Sequence, residues 1–328
     1  VKVKAVGLCG SDIPRALVYG AHVSPITIGH EFSGEIEAVG SEVKNFKPGD
    51  RVVVPPLIPC GECEWCQKGI YSLCEDYDYY GSRRDGALAE YVSVKESNLL
   101  KVPDKVSFED AATLDPCANA YHGLMRGNFK EGDSVCVVGT GPIGLFAAQY
   151  AKLYGASKVI AVDVWDEKLE IAKKVGADVV INSTKEDAVE AVHQATDGKG
   201  ANIVIDFSGA PIAQKQCILM ASKMGRVVFL GISHKGLDLS EKEVDTIMRS
   251  QLSVVGSWNS FTKPYPGEDW TESLKGFDEK GMTAKDIISH RLPLDDAPAV
   301  LGEIAKGGYF YNKVMFYPDG YDGDFDTV

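Results

Sequence analysis

Positive charge is in short supply along this chain. Its 328 residues hold 34 lysines and arginines against 47 aspartates and glutamates, a net charge of -13. Nucleic acids and anionic membrane surfaces both require a basic face, so neither is expected as a partner. A phosphorylated small molecule stays open, because it needs only a few local cations. Long apolar runs are lacking too. None reaches the ~18 residues of a membrane span. The most apolar stretch, Cys136 to Ala151, is interrupted by Gly139, Gly141, Pro142 and Gly144. Cysteine is sparse, with eight in all, too few for a disulfide scaffold. Four of them crowd between positions 60 and 74, which reads as metal binding in a reducing cytoplasm. No secretory leader pattern opens the sequence. It begins on VKVKAV, already alternating as a strand does, so residues upstream of Val1 are expected.

What is present is an ordinary globular composition, 45% hydrophobic and 25% charged, in a length that suggests two domains at about 150 residues each. Two textures divide it. Up to about Pro103 the pattern is β-rich and broken by glycine and proline, with strands expected at Val1–Val6, Gly34–Val39, Arg51–Val54, Ala87–Val94 and Leu99–Val102. One helix is expected from Ser107 to about Met125, opened by Ser107 with Asp110 three places on. From Ser134 strands and helices alternate. Strands at Ser134–Val138, Lys158–Val162, Asp178–Ile181, Ile203–Asp206, Val227–Leu230 and Leu252–Val255 predict a doubly wound, mostly parallel sheet, an α/β fold. Helices near Asp269–Lys280 and Asp295–Lys306 and a strand at Lys313–Tyr317 close the chain before an acidic tail.

Gly139-Thr140-Gly141-Pro142-Ile143-Gly144 lies between the strand SVCVV and an apolar helix. Glycines there permit a tight turn and a close backbone approach to a pyrophosphate, and the helix N-terminus supplies free N–H groups. Asp163 ends the next strand, about 20 residues on, where a carboxylate accepts a hydrogen bond from a ribose hydroxyl. It would repel a 2′-phosphate, which favours NAD over NADP. The competing reading is a glycine-rich turn that binds nothing.

Cys60, Cys63, Cys66 and Cys74 have the spacing C-x2-C-x2-C-x7-C. Two-residue gaps let thiolates converge on one tetrahedral ion with no open position, a structural zinc. Cys9 in GLCGSD and His30-Glu31 in GHEFSG suit a zinc with an open position. On spacing alone Cys9 is more often a buried core thiol and His30 an ordinary loop histidine.

In their order and spacing, GLCGSD, GHEFSG, the four-cysteine lobe, GSRRDGALAEY and VGTGPIG resemble the zinc-dependent medium-chain alcohol/polyol dehydrogenase family. The resemblance covers nearly the whole chain. It implies a GroES-like β-barrel catalytic domain from residues 1–118 and 261–328, with the zinc lobe at about 57–78, and a Rossmann domain from residues 119–260. Substrate would lie between the two. It implies two zinc ions and NAD. Cys9, His30 and Glu31 match ligands of a catalytic zinc, and Asp115 stands where the polyol branch has Glu-Pro, a departure that shortens the side chain. Ser11 matches the hydroxyl that hydrogen-bonds the reacting alcohol. Asp12 would orient His30. Pro14 replaces the relay histidine of the alcohol branch, so proton exit must differ. The resemblance is nearest to a branch that oxidises a secondary hydroxyl of a polyol phosphate to a ketone. Candidate substrate contacts are Arg15, Arg83, Arg84, Lys263, Trp258 and Asn259. Rival readings are an unphosphorylated polyol, butane-2,3-diol or L-threonine as substrate, a nucleotide-binding protein without turnover, and a DNA-binding zinc module, which the charge disfavours. The resemblance also implies a homodimer or homotetramer built through the edge strand Leu252–Val255.

Overall fold

The computed structural model describes residues 1–327. The chain divides into two compact units, Val1–Asp115 with the residues from Ser260 onward, and Pro116–Asn259. The family resemblance implies boundaries at 118/119 and 260/261. In chain order, β1 (Lys2–Leu8), β2 (Glu31–Glu35), β3 (Arg51–Val53), β4 (Leu57–Ile58), β5 (Asp78–Tyr79) and β6 (Leu100–Lys101) fall in the first unit. β7 (Ser134–Val138), β8 (Lys158–Asp163), β9 (Val179–Asn182), β10 (Ala201–Asp206), β11 (Ala221–Phe229) and β12 (Ser253–Gly256) make the second, and β13 (Ile288–Pro293) and β14 (Lys313–Tyr317) return to the first.

The first unit holds a six-stranded sheet in the order β13-β14-β1-β2-β3-β6. β1 runs antiparallel to both neighbours, β14 and β2, and β13 runs parallel to β14. A register shift between Val3 and Ala5 breaks the alternation of VKVKAV and brings both Val3 and Val6 into the cluster with Phe32, Val314 and Phe316, while Lys2 and Lys4 turn out to Asp319. Two expectations need correction. Ala87–Val94 forms no strand and is joined to β1 by a single bridge, Lys2 to Tyr91. It packs instead through irregular bonds such as Ala87 N–H to Gly29 O at 2.9 Å. Gly29, at φ +95, and Gly86, whose added Cβ would lie 2.1 Å from Gly29 O, break the pleat. The helix expected from Ser107 is two, Phe108–Ala112 and Leu114–Arg126. Ser107 does cap the first, accepting from Asp110 N–H at 3.0 Å. The break follows from Pro116, whose ring would clash with the carbonyl four residues back in a continuous helix.

The second unit is a parallel sheet in the order β12-β11-β10-β7-β8-β9 with helices between its strands. Numbered within this unit, the order is the doubly wound one whose direction reverses beside its first strand, here β7. Its strands are apolar nearly throughout, burying Cys136, Val138, Ile160, Val162 and Val204, the pattern of strands covered on both faces. Among the described residues no helix is long and apolar enough to cross a membrane.

Candidate active site

The mouth of the first unit's sheet gathers three metal-ligating groups. Cys9 follows the last residue of β1, and His30 and Glu31 stand at the start of β2. These strands pair antiparallel with Gly7 opposite Glu31. Pairing therefore brings one ligand atom each from Cys9, His30 and Glu31 within 4.8 Å of one another. Ser11 opens the short helix Asp12–Leu17, which also holds Pro14. Its hydroxyl lies 3.4 Å from Cys9 Sγ. Asp12 is fully buried and accepts from Cys9 N–H at 3.1 Å and Arg15 Nη1 at 2.8 Å. Its other contact is His30, with Nδ1 3.4 Å from Oδ1. Burial works against a charged His30, but Asp12 and Cys9 outweigh it and hold the imidazole well above its ordinary value.

Asp115 is buried beside this trio but is not among the three converging groups. Its carboxyl is pushed up to about 7, chiefly by burial, with His30 opposing and Glu31 adding to the rise. The rise is chiefly desolvation, since a buried carboxyl loses the water that stabilises its ionised form. A thiol, an imidazole and a carboxylate converging there form a donor set that fits a divalent ion such as zinc.

Two nearby side chains escaped the sequence reading. Lys313, at the start of β14, is buried, pairs with the Glu31 carboxylate and donates to Leu8 O at 3.1 Å. Glu31 and Cys9 raise its pKa against the lowering effect of burial. The Tyr79 ring sits edge-on to His30 with centroids 5.7 Å apart. Burial, then Asp115, Cys9 and Glu31, push its phenol well above the ordinary range. The one available signal for Lys313 was a lysine opening an otherwise apolar strand; Tyr79 had none.

In the lobe between β4 and β5, Cys60, Cys63, Cys66 and Cys74 also offer ligand atoms within 4.8 Å of one another. Gly61 and Gly69 turn at φ +82 and +75. Backbone N–H groups aim at sulfur, from Cys60 to Cys74 Sγ at 3.3 Å and from Cys63 to Cys60 Sγ at 3.4 Å. Backbone bonds from Glu75 and Cys66 bring Cys63 down to about 6, whereas burial pushes Cys66 up to about 12. Four thiolates repel one another, and a tetrahedral cation is what lets all four ionise together.

In the second unit, the glycines between β7 and the helix Pro142–Leu153 differ in purpose. Gly139 has φ +96, and Gly144 lies so close to the turn that an added Cβ would be 2.1 Å from Gly139 O. Gly141, at φ -67, faces open space. Neither backbone strain nor packing requires glycine at 141, so its bare backbone fits a ligand's close approach, and the fold offers a nucleotide cradle there. Pro142 and Ile143 open the helix. Asp163, ending β8, accepts from Thr140 N–H at 2.6 Å and Thr140 Oγ1 at 2.8 Å, and so ties the loop down.

The remaining candidates are scattered. Arg15 is held by Asp12. Arg84 pairs with Asp78 rather than with Asp85 or Glu90. Arg83 lies 4.5 Å over the Tyr77 ring, and its buried Nε has no hydrogen-bond partner among the described residues. Lys263 packs by its stem near Gly69. In the second unit Trp258 is 49% exposed, which removes a core role for it. Asn259 sits at φ 51, and the neighbouring Ser257 is buried.

Comparison with known proteins agrees with this picture. Residues 1–104 match the family model described as alcohol dehydrogenase GroES-like domain, and residues 142–277 the one described as zinc-binding dehydrogenase. The chain is 36% identical to galactitol 1-phosphate 5-dehydrogenase of Escherichia coli (strain K12) over 97% of its own length and 92% of the relative's. The crystal structure of galactitol-1-phosphate dehydrogenase from E. coli superposes with a TM-score of 0.92 over 97% of this chain and 92% of that one. Sorbitol dehydrogenase of Halalkalibacterium halodurans is also 36% identical, over 97% of this chain and 90% of its own length. A zinc-binding dehydrogenase structure from Sinorhizobium meliloti 1021 bound to NADP has a TM-score of 0.89 at 32% identity, covering 97% and 91%.

Proposed function

The chain belongs to the zinc-binding, medium-chain alcohol dehydrogenase family and is an oxidoreductase, and from that premise we propose that it oxidises a secondary hydroxyl of a polyol phosphate to a ketone with NAD, in the cytoplasm. The substrate pair we favour is galactitol 1-phosphate and tagatose 6-phosphate, on the strength of the E. coli relative's name. The observation that carries the chemistry is the convergence of Cys9, His30 and Glu31.

A zinc ion held by these three, with Asp115 beside them, would supply the Lewis acidity that lets an alcohol lose its proton at neutral pH. Asp12 fixes the His30 ring. Ser11, whose hydroxyl lies beside Cys9 Sγ, hydrogen-bonds the reacting hydroxyl and hands its proton on. With Pro14 in the relay position, the proton leaves by way of Glu31 or Asp115. The second zinc, on the four cysteines, braces the lobe. The Gly139–Gly144 loop holds the pyrophosphate of NAD, the hydride acceptor, and the Asp163 carboxylate disfavours the extra phosphate of NADP. Trp258 and Asn259 contact substrate.

One observation favours a second reading. Arg15 and Arg84 are both engaged by carboxylates, which leaves Arg83 as the one candidate arginine free to meet a phosphate. If Arg83 does not do so, the substrate is a free polyol, butane-2,3-diol or threonine. The test is NAD reduction with galactitol 1-phosphate beside galactitol, sorbitol, butane-2,3-diol and threonine. The proposal expects kcat/KM to favour the ester. Arg83→Gln should then raise KM for it by roughly one to two orders of magnitude, the range for one lost charge-assisted contact. Turnover of a free polyol with the ester ignored would retire the phosphate reading and leave the zinc chemistry in place.

A further inference from the structure

Lys313 is the one buried lysine among the described residues. β14, β1 and β2 lie side by side, with Gly7 of β1 opposite both Met315 and Glu31. The lysine must cross β1 to reach Glu31, and it does so over Gly7. A Cβ at Gly7 would stand 2.8 Å from Glu31 Oε2 and 3.4 Å from Lys313 Cδ. No left-handed φ requires glycine there. The room needed by the ion pair does. Both partners are only 2% exposed, and each charge would be costly to bury without the other.

We infer that Lys313 is a positioning residue for the metal centre. It holds one oxygen of Glu31, leaving only the other to join Cys9 and His30, and its charge keeps the ion there electrophilic. The charge count supports this. A thiolate and a carboxylate with a neutral imidazole cancel a divalent cation, and the Lys313 ammonium offsets the further carboxyl of Asp115, which lies buried beside them. The ammonium also competes with the metal for Glu31, so that affinity is traded for Lewis acidity. The inference rests on the proposed ligand set.

The test titrates the metal-free full chain with zinc against a chromogenic chelator, in the wild type and in Lys313→Met. The wild type should bind two ions, and Cys9→Ser one. Lys313→Met should hold its second zinc at least about tenfold more tightly, because a unit charge a few ångströms from an ion exceeds that factor at protein-like screening. Its kcat should fall while the four-cysteine ion is unaffected. Lys313→Arg should restore both properties. A merely structural pair predicts equal or weaker retention in the folded variant, and that result overturns the inference while leaving the ligand set intact. A wild type holding one ion overturns both. Should Lys313→Met not fold, Lys313→Gln removes the same charge and must show the same tightening.

Discussion

Asp115 carries the clearest pH dependence of any residue at the site. Its carboxyl, ordinarily at 3.8, is lifted to about 7 in the folded chain, chiefly by burial. The folded, metal-free protein therefore binds a proton that the unfolded chain has released. Stability from this group is complete at low pH, declines as pH rises from about 4 to about 7, and is level above that. A shift of this size is worth roughly 4 kcal/mol. Melting temperatures of metal-stripped wild type and Asp115→Asn, compared between pH 5 and pH 8, should converge as the wild type loses its advantage. Parallel curves would show that Asp115 is ionised throughout. The sequence singled out Asp115 by its motif, as it did Cys9, His30, Glu31 and Asp12. Lys313 was not legible, because its partner lies 282 positions away and only the pairing of three strands makes them neighbours.

At the scale of the element, legibility followed the regularity of the strands. β7 and β14 have the bounds that their apolar runs predict, because a strand covered on both faces reads as an unbroken hydrophobic word. The first unit's short strands are interrupted by glycines whose close contacts depend on distant backbone, so Ala87–Val94 alternated without becoming a strand. The turn after β7 separates two kinds of glycine and can be tested by splitting them. Gly144→Ala places a Cβ 2.1 Å from Gly139 O; overpacking of this kind costs about 1–3 kcal/mol or more and should lower the melting temperature of the protein without ligand. Gly141→Ala enters open space at an ordinary φ and should leave the melting temperature unchanged. It should instead raise KM for NAD by roughly tenfold, the scale of one lost contact to a charged phosphate. If Gly141→Ala melts early with an unaltered KM, the loop is a structural turn and not a cradle.

For the whole molecule, a net charge of -13 opposes self-association in general, so any assembly needs a specific surface. The sheet of the second unit ends on β12, which pairs with β11 on one side and, among the described residues, has no strand on the other. That edge presents open backbone donors and acceptors, and Val254 on it is 39% exposed. An unprotected edge of apolar residues is a template for pairing with another chain, and nothing in SVVG, neither a proline nor a charge, defends it. We therefore expect β12 of two copies to pair about a two-fold axis, extending one sheet across the dimer. Sedimentation equilibrium should give a mass that is a multiple of the 35.4 kDa chain. Val254→Lys, which sets like charges against each other across that axis, should shift it to the single-chain mass without lowering zinc content. A wild type already at 35.4 kDa would mean the edge stays solvated; an oligomer indifferent to Val254→Lys would move the interface to another face.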